Sequence, residues 1–522
     1  QLHLVITTRE DPQLPLPRLR ARGQLTEIRA VDLRFTSEEA AEFLNQVMRL
    51  NLSTVDIAAL EARTEGWITG LQMAARSMQG SHDMDGFIKS FTGSNRYILD
   101  FLIEEVLEQQ TEEIQTFLLQ TAILDQLNGS LCDAVTDQEN GQETLEMLDR
   151  TNLFIIPLDD ERQSYRYHHL FSELLYQRLK TTSPKLVREL HSKAVTWYET
   201  NDELSDAIHH AFIGDDIETA ARLIEKGAVI ALGHSDLQFI LRWVDRLPDE
   251  TLKKTPWLFA YHVLALLITG QVAIARSKLE NTDWLLDSIS DNDAKKQEMM
   301  GSVAGLKAIL SIWDFDYKKG VDFANQALEY LPANNWIRGY CALVLGSSYW
   351  GIGDLIRAKY AFQESCLAAE ASGNTMLAVS CGCNFAYAIE LEGHLHQALE
   401  SFQDLFQFAE QDGEVTPAAG YIHVDIARLF YEWNHLELAS QHLIDGIKLC
   451  QRLADGRAET IGHGLLARVQ IARGDITGAF KSVQNARDAN PSPETYFELR
   501  GGEFPETWLW LNENNFKKLA GW

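Results

Sequence analysis

Proline is scarce in this 522-residue chain, at 12 residues, and cysteine is scarcer still, at six. With a hydrophobic fraction of 45%, so little proline excludes a disordered or low-complexity chain. The cysteines, at 132, 341, 366, 381, 383 and 450, are scattered; this argues against a disulfide framework and fits a reducing compartment. Cys381-Gly382-Cys383, the one close pair, has no second Cys or His pair at zinc spacing and reads as two helix-packing thiols. Basic residues are also few. Lys and Arg total 46 against 75 Asp and Glu, for a net charge of −29. Such a surface repels phosphate backbones, and no basic module offsets it, so this segment is not expected to bind nucleic acid. The longest apolar run, Trp257 to Ala275, contains His262, Thr269, Gly270 and Gln271, which is poor for a bilayer span. No Gly-x-x-x-x-Gly-Lys-[Ser/Thr] occurs, and no Ser/His/Asp, Cys/His or metal constellation stands out. The acidic clusters Glu104-Glu105 and Asp159-Asp160-Glu161 read as solvated faces of an acidic protein. The chain opens on Gln1 without a basic leader and reads as a piece of a longer one.

What is present is a repeat. A turn made of a small or polar residue, a polar residue, an apolar residue, two variable residues and Ala recurs at Gly353 to Ala358, Gly393 to Ala398, Asn434 to Ala439 and Gly474 to Ala479. The copies start 40, 41 and 40 residues apart, and looser ones begin at Asp215, Gly270, Phe315 and Asn514. Apolar residues between the turns recur at helical spacing, as at Ala398, Phe402, Leu405 and Phe408. Helix-turn-helix units of this size cannot bury their apolar faces alone and must stack, which predicts a superhelical array of the tetratricopeptide kind. Arrays of this sort bind a peptide, a protein surface or a small ligand. Aromatics such as Trp313, Trp336, Tyr340, Tyr349, Trp350 and Tyr387 are plentiful in this half, but aromatics at helix spacing are usually core, so no ligand-binding residue is named.

The first third differs. Leu2 to Thr7 reads as a buried parallel strand and Leu25 to Phe35 as a second short one. Thr36-Ser37-Glu38-Glu39 is a capping box opening a helix through Leu50, with Ala40, Ala41, Phe43, Leu44 and Val47 on one face. Helical patterns follow from Ser53 to Met78 and from Asn95 to Leu127. Asn152 to Pro157 and Tyr165 to His169 form a hairpin leading into a helix from Leu170 to Leu179, the outline of a winged helix with no Lys/Arg cluster for DNA.

Several of these segments, in order, resemble the MalT-like large ATP-binding LuxR-family transcription regulators. They are Leu4-Val-Ile-Thr-Thr-Arg9 with Asp11-Pro12, Leu16 to Gly23, Glu27 to Phe35, Glu65-Gly-Trp-Ile-Thr-Gly to Ala75, Ser94 to Val106 and Tyr165-Arg-Tyr-His-His-Leu-Phe171. The resemblance implies a STAND signalling ATPase that is mainly α. Its parts would be a partial α/β nucleotide-binding-domain remnant (1–35), a helical domain (36–95), a winged-helix-like domain (96–185), a helical linker (186–240) and a TPR-like sensor array (241–522). It implies ATP or ADP as cofactor of the full-length protein, with no tight nucleotide binding by this segment, which lacks the P-loop. The partners it implies are a small-molecule or protein inducer on the array, further copies of the activated protein, and DNA through a separate C-terminal domain. A cytoplasmic location follows, with no membrane. Function is then that of a switch and sensor; a TPR-like protein-binding scaffold with a degenerate nucleotide region is the alternative. Residue by residue, Arg9 matches the sensor arginine that meets the terminal phosphate, against a plain surface arginine. His168, with His169 as alternate, matches the winged-helix histidine that reaches the ADP phosphate, against a hydrogen-bonded core histidine. Gly66-Trp67-Ile68 stands where the family often has Gly-x-Pro against the adenine; Ile68 offers the apolar contact without proline's rigid φ, and an ordinary helix start is the competing reading.

Overall fold

The computed structural model describes residues 4–8, 12, 14–78, 88, 102–233, 236–287, 289, 293–332, 335–411, 414–453 and 456–489. The chain divides into two compact units, Gln1–Asp216 and Ile217–Trp522. Helices dominate both, and no described helix is long and apolar enough to cross a membrane.

Among the described residues of the first unit, the two expected N-terminal strands are not formed. Residues 4–8 are irregular, with Leu4, Val5 and Ile6 exposed, and residues 25–35 contain only a 3₁₀ turn, Ala30–Leu33. A strand exists only when a neighbour takes up its N–H and C=O groups, and no described strand runs beside either segment. The capping box is present. Thr36 accepts from the Glu39 N–H and Glu39 accepts from the Thr36 N–H, opening the helix Ser37–Glu42. That helix continues as a π-helical turn, Phe43–Val47, and stops three residues short of the expected Leu50; Ala40 and Leu44 are buried while Val47 is exposed. A second capping box, Ser53 with Asp56, opens Thr54–Thr64, and Ile68–Met78 follows.

Further on, strands β1 (Ile155–Pro157) and β2 (Tyr165–Tyr167) pair antiparallel, Ile155 opposite Tyr167. Asp159 fixes their turn by accepting from the Gln163 and Ser164 N–H groups at 2.9 and 2.7 Å. The buried face of β2 ties the hairpin to the preceding helices: Tyr165 is fully buried and exchanges backbone bonds with Leu127, and the Tyr167 hydroxyl lies 2.7 Å from Thr121 Oγ1. The helix His169–Thr182 leaves the hairpin directly.

The repeat signature has a backbone cause. Asp215, Gly270, Phe315, Gly353, Gly393, Asn434 and Gly474 all have φ between +57° and +87°. After each, the next residue's N–H closes on a carbonyl in the last turn of the preceding helix, as Asp354 does on Tyr349 and Asp475 on Gln470, both at 2.8 Å. This is a Schellman-type C-cap, which needs a left-handed residue and therefore favours Gly or Asn. Where the following residue is Asp316, Asp354 or Asp475, its carboxylate also accepts from the N–H three residues on and caps the next helix. Five residues past each left-handed position stands a small residue, Ala220, Ala275, Gly320, Ala358, Ala398, Ala439 or Ala479, and every one is buried. There the second helix of a hairpin crosses the first at a separation that a larger side chain would not permit. Asn514 lies outside the described residues.

Among the described residues of the second unit, six successive hairpins result. Their first helices are Pro256–Ile268, Asp293–Trp313, Ile337–Gly351, Thr375–Leu391, Ala419–Glu432 and Gly456–Ala472. All six cysteines are reduced; Cys381 Sγ packs 2.8 Å from Cys366 Sγ rather than pairing with Cys383.

Candidate functional site

Between Thr54–Thr64 and Ile68–Met78 the chain reverses through two left-handed residues, Glu65 (φ +48°) and Gly66 (φ +69°). Gly66 is required there: a Cβ would lie 2.4 Å from the Phe35 carbonyl oxygen, and the Phe35 N–H donates to the Gly66 carbonyl at 2.9 Å. The reversal aims Glu65 at the winged hairpin. Arg166 donates to both carboxylate oxygens, at 2.8 and 2.9 Å, and the His169 N–H donates to Oε1 at 3.0 Å. The glutamate thus caps the helix His169–Thr182 from a distant part of the sequence. Burial pushes the Glu65 carboxyl up, but the Arg166 guanidinium and the His169 N–H outweigh it and bring its pKa to about 2.

His168 sits beside this pair. Its Nε2 lies 3.0 Å from the Thr64 carbonyl oxygen and must donate, because a carbonyl only accepts; in the neutral ring Nδ1 is then a lone pair. Nδ1 is buried and has no hydrogen-bond partner among the described residues. The ring meets Trp67 edge-on at 6.0 Å and Phe154 at 5.7 Å, while Trp67 and Phe154 meet at 5.2 Å. Burial pushes the imidazole pKa below its ordinary value, against the opposing pull of Glu65.

Two of the residues singled out from the sequence, His168 and Trp67, therefore meet in one seam, while Ile68, next in the chain, is half-buried at a helix start. Arg9 lies outside the described residues. The alternate, His169, contributes its backbone N–H, while its exposed ring reaches toward Glu173 at 3.7 Å. Sequence reasoning missed Glu65 and Arg166, although both stand in the quoted segments. Their signal is a salt bridge between residues 101 apart, which spacing cannot show.

The second unit holds a half-open cavity of about 710 Å³. All six first helices of the hairpins line it, whereas Tyr317 is the one lining residue from a second helix among those described. Of the six aromatics noted in the sequence, Trp313, Tyr340, Trp350 and Tyr387 line the cavity, with Trp350 stacked on Tyr387 at 4.9 Å. Trp336 packs on Tyr261 instead, and Tyr349 lies beneath Arg357.

The first unit thus carries a winged-helix-like hairpin, and the second a helical-hairpin array around a half-open cavity. A solved STAND protein with a tetratricopeptide repeat sensor, from Pyrococcus horikoshii, has this fold, with a TM-score of 0.52 over 94% of this chain and 73% of that one at 13% identity. Residues 103–187 match the model of the MalT winged helix domain and residues 301–499 that of the MalT-like TPR region. The chain is 25% identical to the HTH-type transcriptional regulator MalT of Yersinia pestis, across 100% of this chain and 58% of that protein. It is also 25% identical to the serine/threonine-protein kinase PknK of Mycobacterium tuberculosis, across 93% of this chain and 44% of that one. The chain thus spans about half the length of these relatives.

Proposed function

We propose that this chain is the central switch and inducer-sensor portion of a cytoplasmic, ATP-dependent transcriptional activator of the MalT type. In this reading residues 1–35 end the nucleotide-binding domain, 36–95 are the helical domain, 96–185 the winged helix, 186–240 a linker and 241–522 the sensor. Two relatives of equal identity support it, because one is named a kinase and the other a helix-turn-helix regulator. The matched segment is common to both, so the role proposed for it is one that either named activity could use. Regulation of transcription is taken from the MalT relative, which this chain matches along its whole length.

The observation that carries the switch is His168. Its Nε2 holds the Thr64 carbonyl at the reversal that presents Trp67 and Ile68, and its buried Nδ1 has no partner among the described residues. ATP or ADP, when bound in the full-length protein, supplies phosphate charge and an adenine face. His168 meets a phosphate, for which Nδ1 must gain a proton, while Trp67 and Ile68 offer the apolar contact and Arg9 the guanidinium. Nucleotide and inducer bias one closed-to-open equilibrium, each by its differential affinity for the two states. The open form self-associates and reaches DNA through a separate domain.

His168→Ala in the full-length protein is expected to speed ADP release and raise inducer-independent transcription. An unchanged ADP off-rate together with unchanged basal transcription rejects the locking role. The 522-residue chain by itself is expected to show no ATP turnover.

A further inference from the structure

The proposed switch makes no use of the thiols of the second unit. Of the six cysteines, five are buried and Cys366 alone is partly exposed. Cys366 stands on the helix Leu355–Ser372, the second of its hairpin, and Cys381 on Thr375–Leu391, the first of the next. Their sulfurs are 2.8 Å apart, so little movement separates two free thiols from bonding distance. Flanking contacts hold them in that position. Ser365, beside Cys366, donates to the Gly339 carbonyl at 2.8 Å, and Gly382, beside Cys381, packs so closely that a Cβ would lie 2.3 Å from Leu405 Cδ2. Each helix is thus fixed against a third element at the residue next to its cysteine.

The two thiols differ as a reaction between them requires. Burial, with Cys366 beside it, pushes the Cys381 thiol well above the ordinary thiol range, so it stays protonated and does not attack first. Cys366 is the sulfur that an oxidant in solution can reach. A reducing compartment does not exclude such a bond, because disulfides there are usually transient and redox-sensing.

We propose that Cys366 and Cys381 form a reversible disulfide in response to hydroperoxides, with Cys366 as the attacking sulfur and Cys381 as the resolving one. The Cys366 thiolate attacks a peroxide oxygen and the O–O bond breaks. The departing hydroxide takes up the proton given up by Cys366 and leaves as water, with a sulfenic acid on Cys366. The Cys381 sulfur then attacks the Cys366 sulfur, the S–O bond breaks, and the Cys381 proton leaves with the hydroxide as a second water. Two thiols have lost two electrons and hydrogen peroxide has gained them. A dithiol reverses the step by exchange and is itself oxidised. The bond closes a loop containing the left-handed turn at Gly373, so it pins the junction between two successive hairpins. This holds whether or not the array senses an inducer.

The test uses the whole 522-residue chain, reduced, freed of reductant and treated with a few equivalents of hydrogen peroxide under native conditions. Free thiols are then blocked with N-ethylmaleimide in denaturant and the chain is cut after glutamate. Cleavage at Glu364, Glu370 and Glu390 puts Cys366 in the peptide 365–370 and Cys381 with Cys383 in 371–390, so a bond between the helices joins the two peptides. The joined species is expected, and dithiothreitol should abolish it. Hydrogen exchange on the same oxidised chain should slow at the amides of 366–381. Neither readout depends on a variant folding. Cys381→Ser should lower the yield of the joined species at least about tenfold and leave a dimedone-reactive sulfenic acid on Cys366, whereas Cys383→Ser should leave the yield unchanged. A joined species that survives Cys381→Ser and disappears in Cys383→Ser overturns the pairing. Cys366 passing to sulfinic acid without cross-linking, or a bond that forms only when denaturant is present during oxidation, overturns the proposal as a whole. Unchanged exchange at 366–381 in a fully cross-linked chain overturns the pinning of the junction.

Discussion

Glu65 concentrates more interactions than its place in a helix-ending turn suggests. It is left-handed, holds Arg166 through both oxygens and accepts from the His169 N–H, so a single side chain joins the Thr54–Met78 helices to the winged helix. Glu65→Gln keeps the shape but loses the charge, and should cost about 2 kcal/mol of stability in denaturant unfolding, given charge-assisted bonds to a partly buried partner. A loss within about 0.3 kcal/mol would show the pair to be solvent-screened and without weight. Its pH dependence has a definite sign. The folded carboxyl titrates at about 2, below its ordinary value near 4.5, so its contribution is complete above that ordinary value and is lost as pH falls from there toward 2. His168, two residues from Arg166, is open to two readings in the sequence, ligand-facing or hydrogen-bonded core. The structure shows a ring that is bonded through Nε2 and unpartnered at Nδ1 among the described residues, which spacing along the chain has no means of encoding.

Elements of this chain were legible in the sequence in proportion to how local their causes are. The Thr36 capping box and the seven left-handed caps depend on residues within one turn of each other, and they form where the pattern put them. The strands read at Leu2 to Thr7 and Leu25 to Phe35 depend on partners elsewhere, and apolar β-branched composition alone did not make them. The caps themselves can be tested. Gly353→Ala meets nothing within 4 Å of the new Cβ, so its cost is the backbone strain alone, about 1 kcal/mol. Gly66→Ala adds a collision with the Phe35 carbonyl and should cost clearly more, and equal melting-temperature losses in the two variants would contradict that account. A second prediction concerns the helices Pro184–Thr200 and Leu204–Ile213, which are joined by His191 and His210 with their Nδ1 atoms 2.8 Å apart. Burial lowers these imidazoles to about 4 and about 3. The unfolded chain therefore takes up protons first, near pH 6.5, and stability is full above that value and declines as pH falls toward 3 to 4. Between pH 7 and pH 4 the loss should reach about 2 kcal/mol or more, and His210→Phe should flatten it. A wild-type melt that does not change across that window would contradict the buried neutral pair.

At the scale of the whole molecule, the charge of −29 bears on direct partners. This chain is expected to give no salt-dependent anisotropy change with a 30-base-pair duplex at about 50 mM salt, where phosphate contacts are strongest; a clear binding isotherm would contradict the electrostatic argument. The sequence by itself determined the class of architecture, because helix caps, small crossing residues and the 40-residue period are short-range patterns that recur and reinforce one another. It also carried the winged hairpin, whose strands are neighbours along the chain. Only the tertiary structure decided which residues meet at the Glu65–Arg166–His168 seam. It alone separated Trp313, Tyr340, Trp350 and Tyr387, on the cavity wall, from Trp336 and Tyr349, which are not. The reason is physical: a helix places core-facing and cavity-facing side chains at the same spacing, and only the packing of neighbouring helices determines whether the space before them is filled.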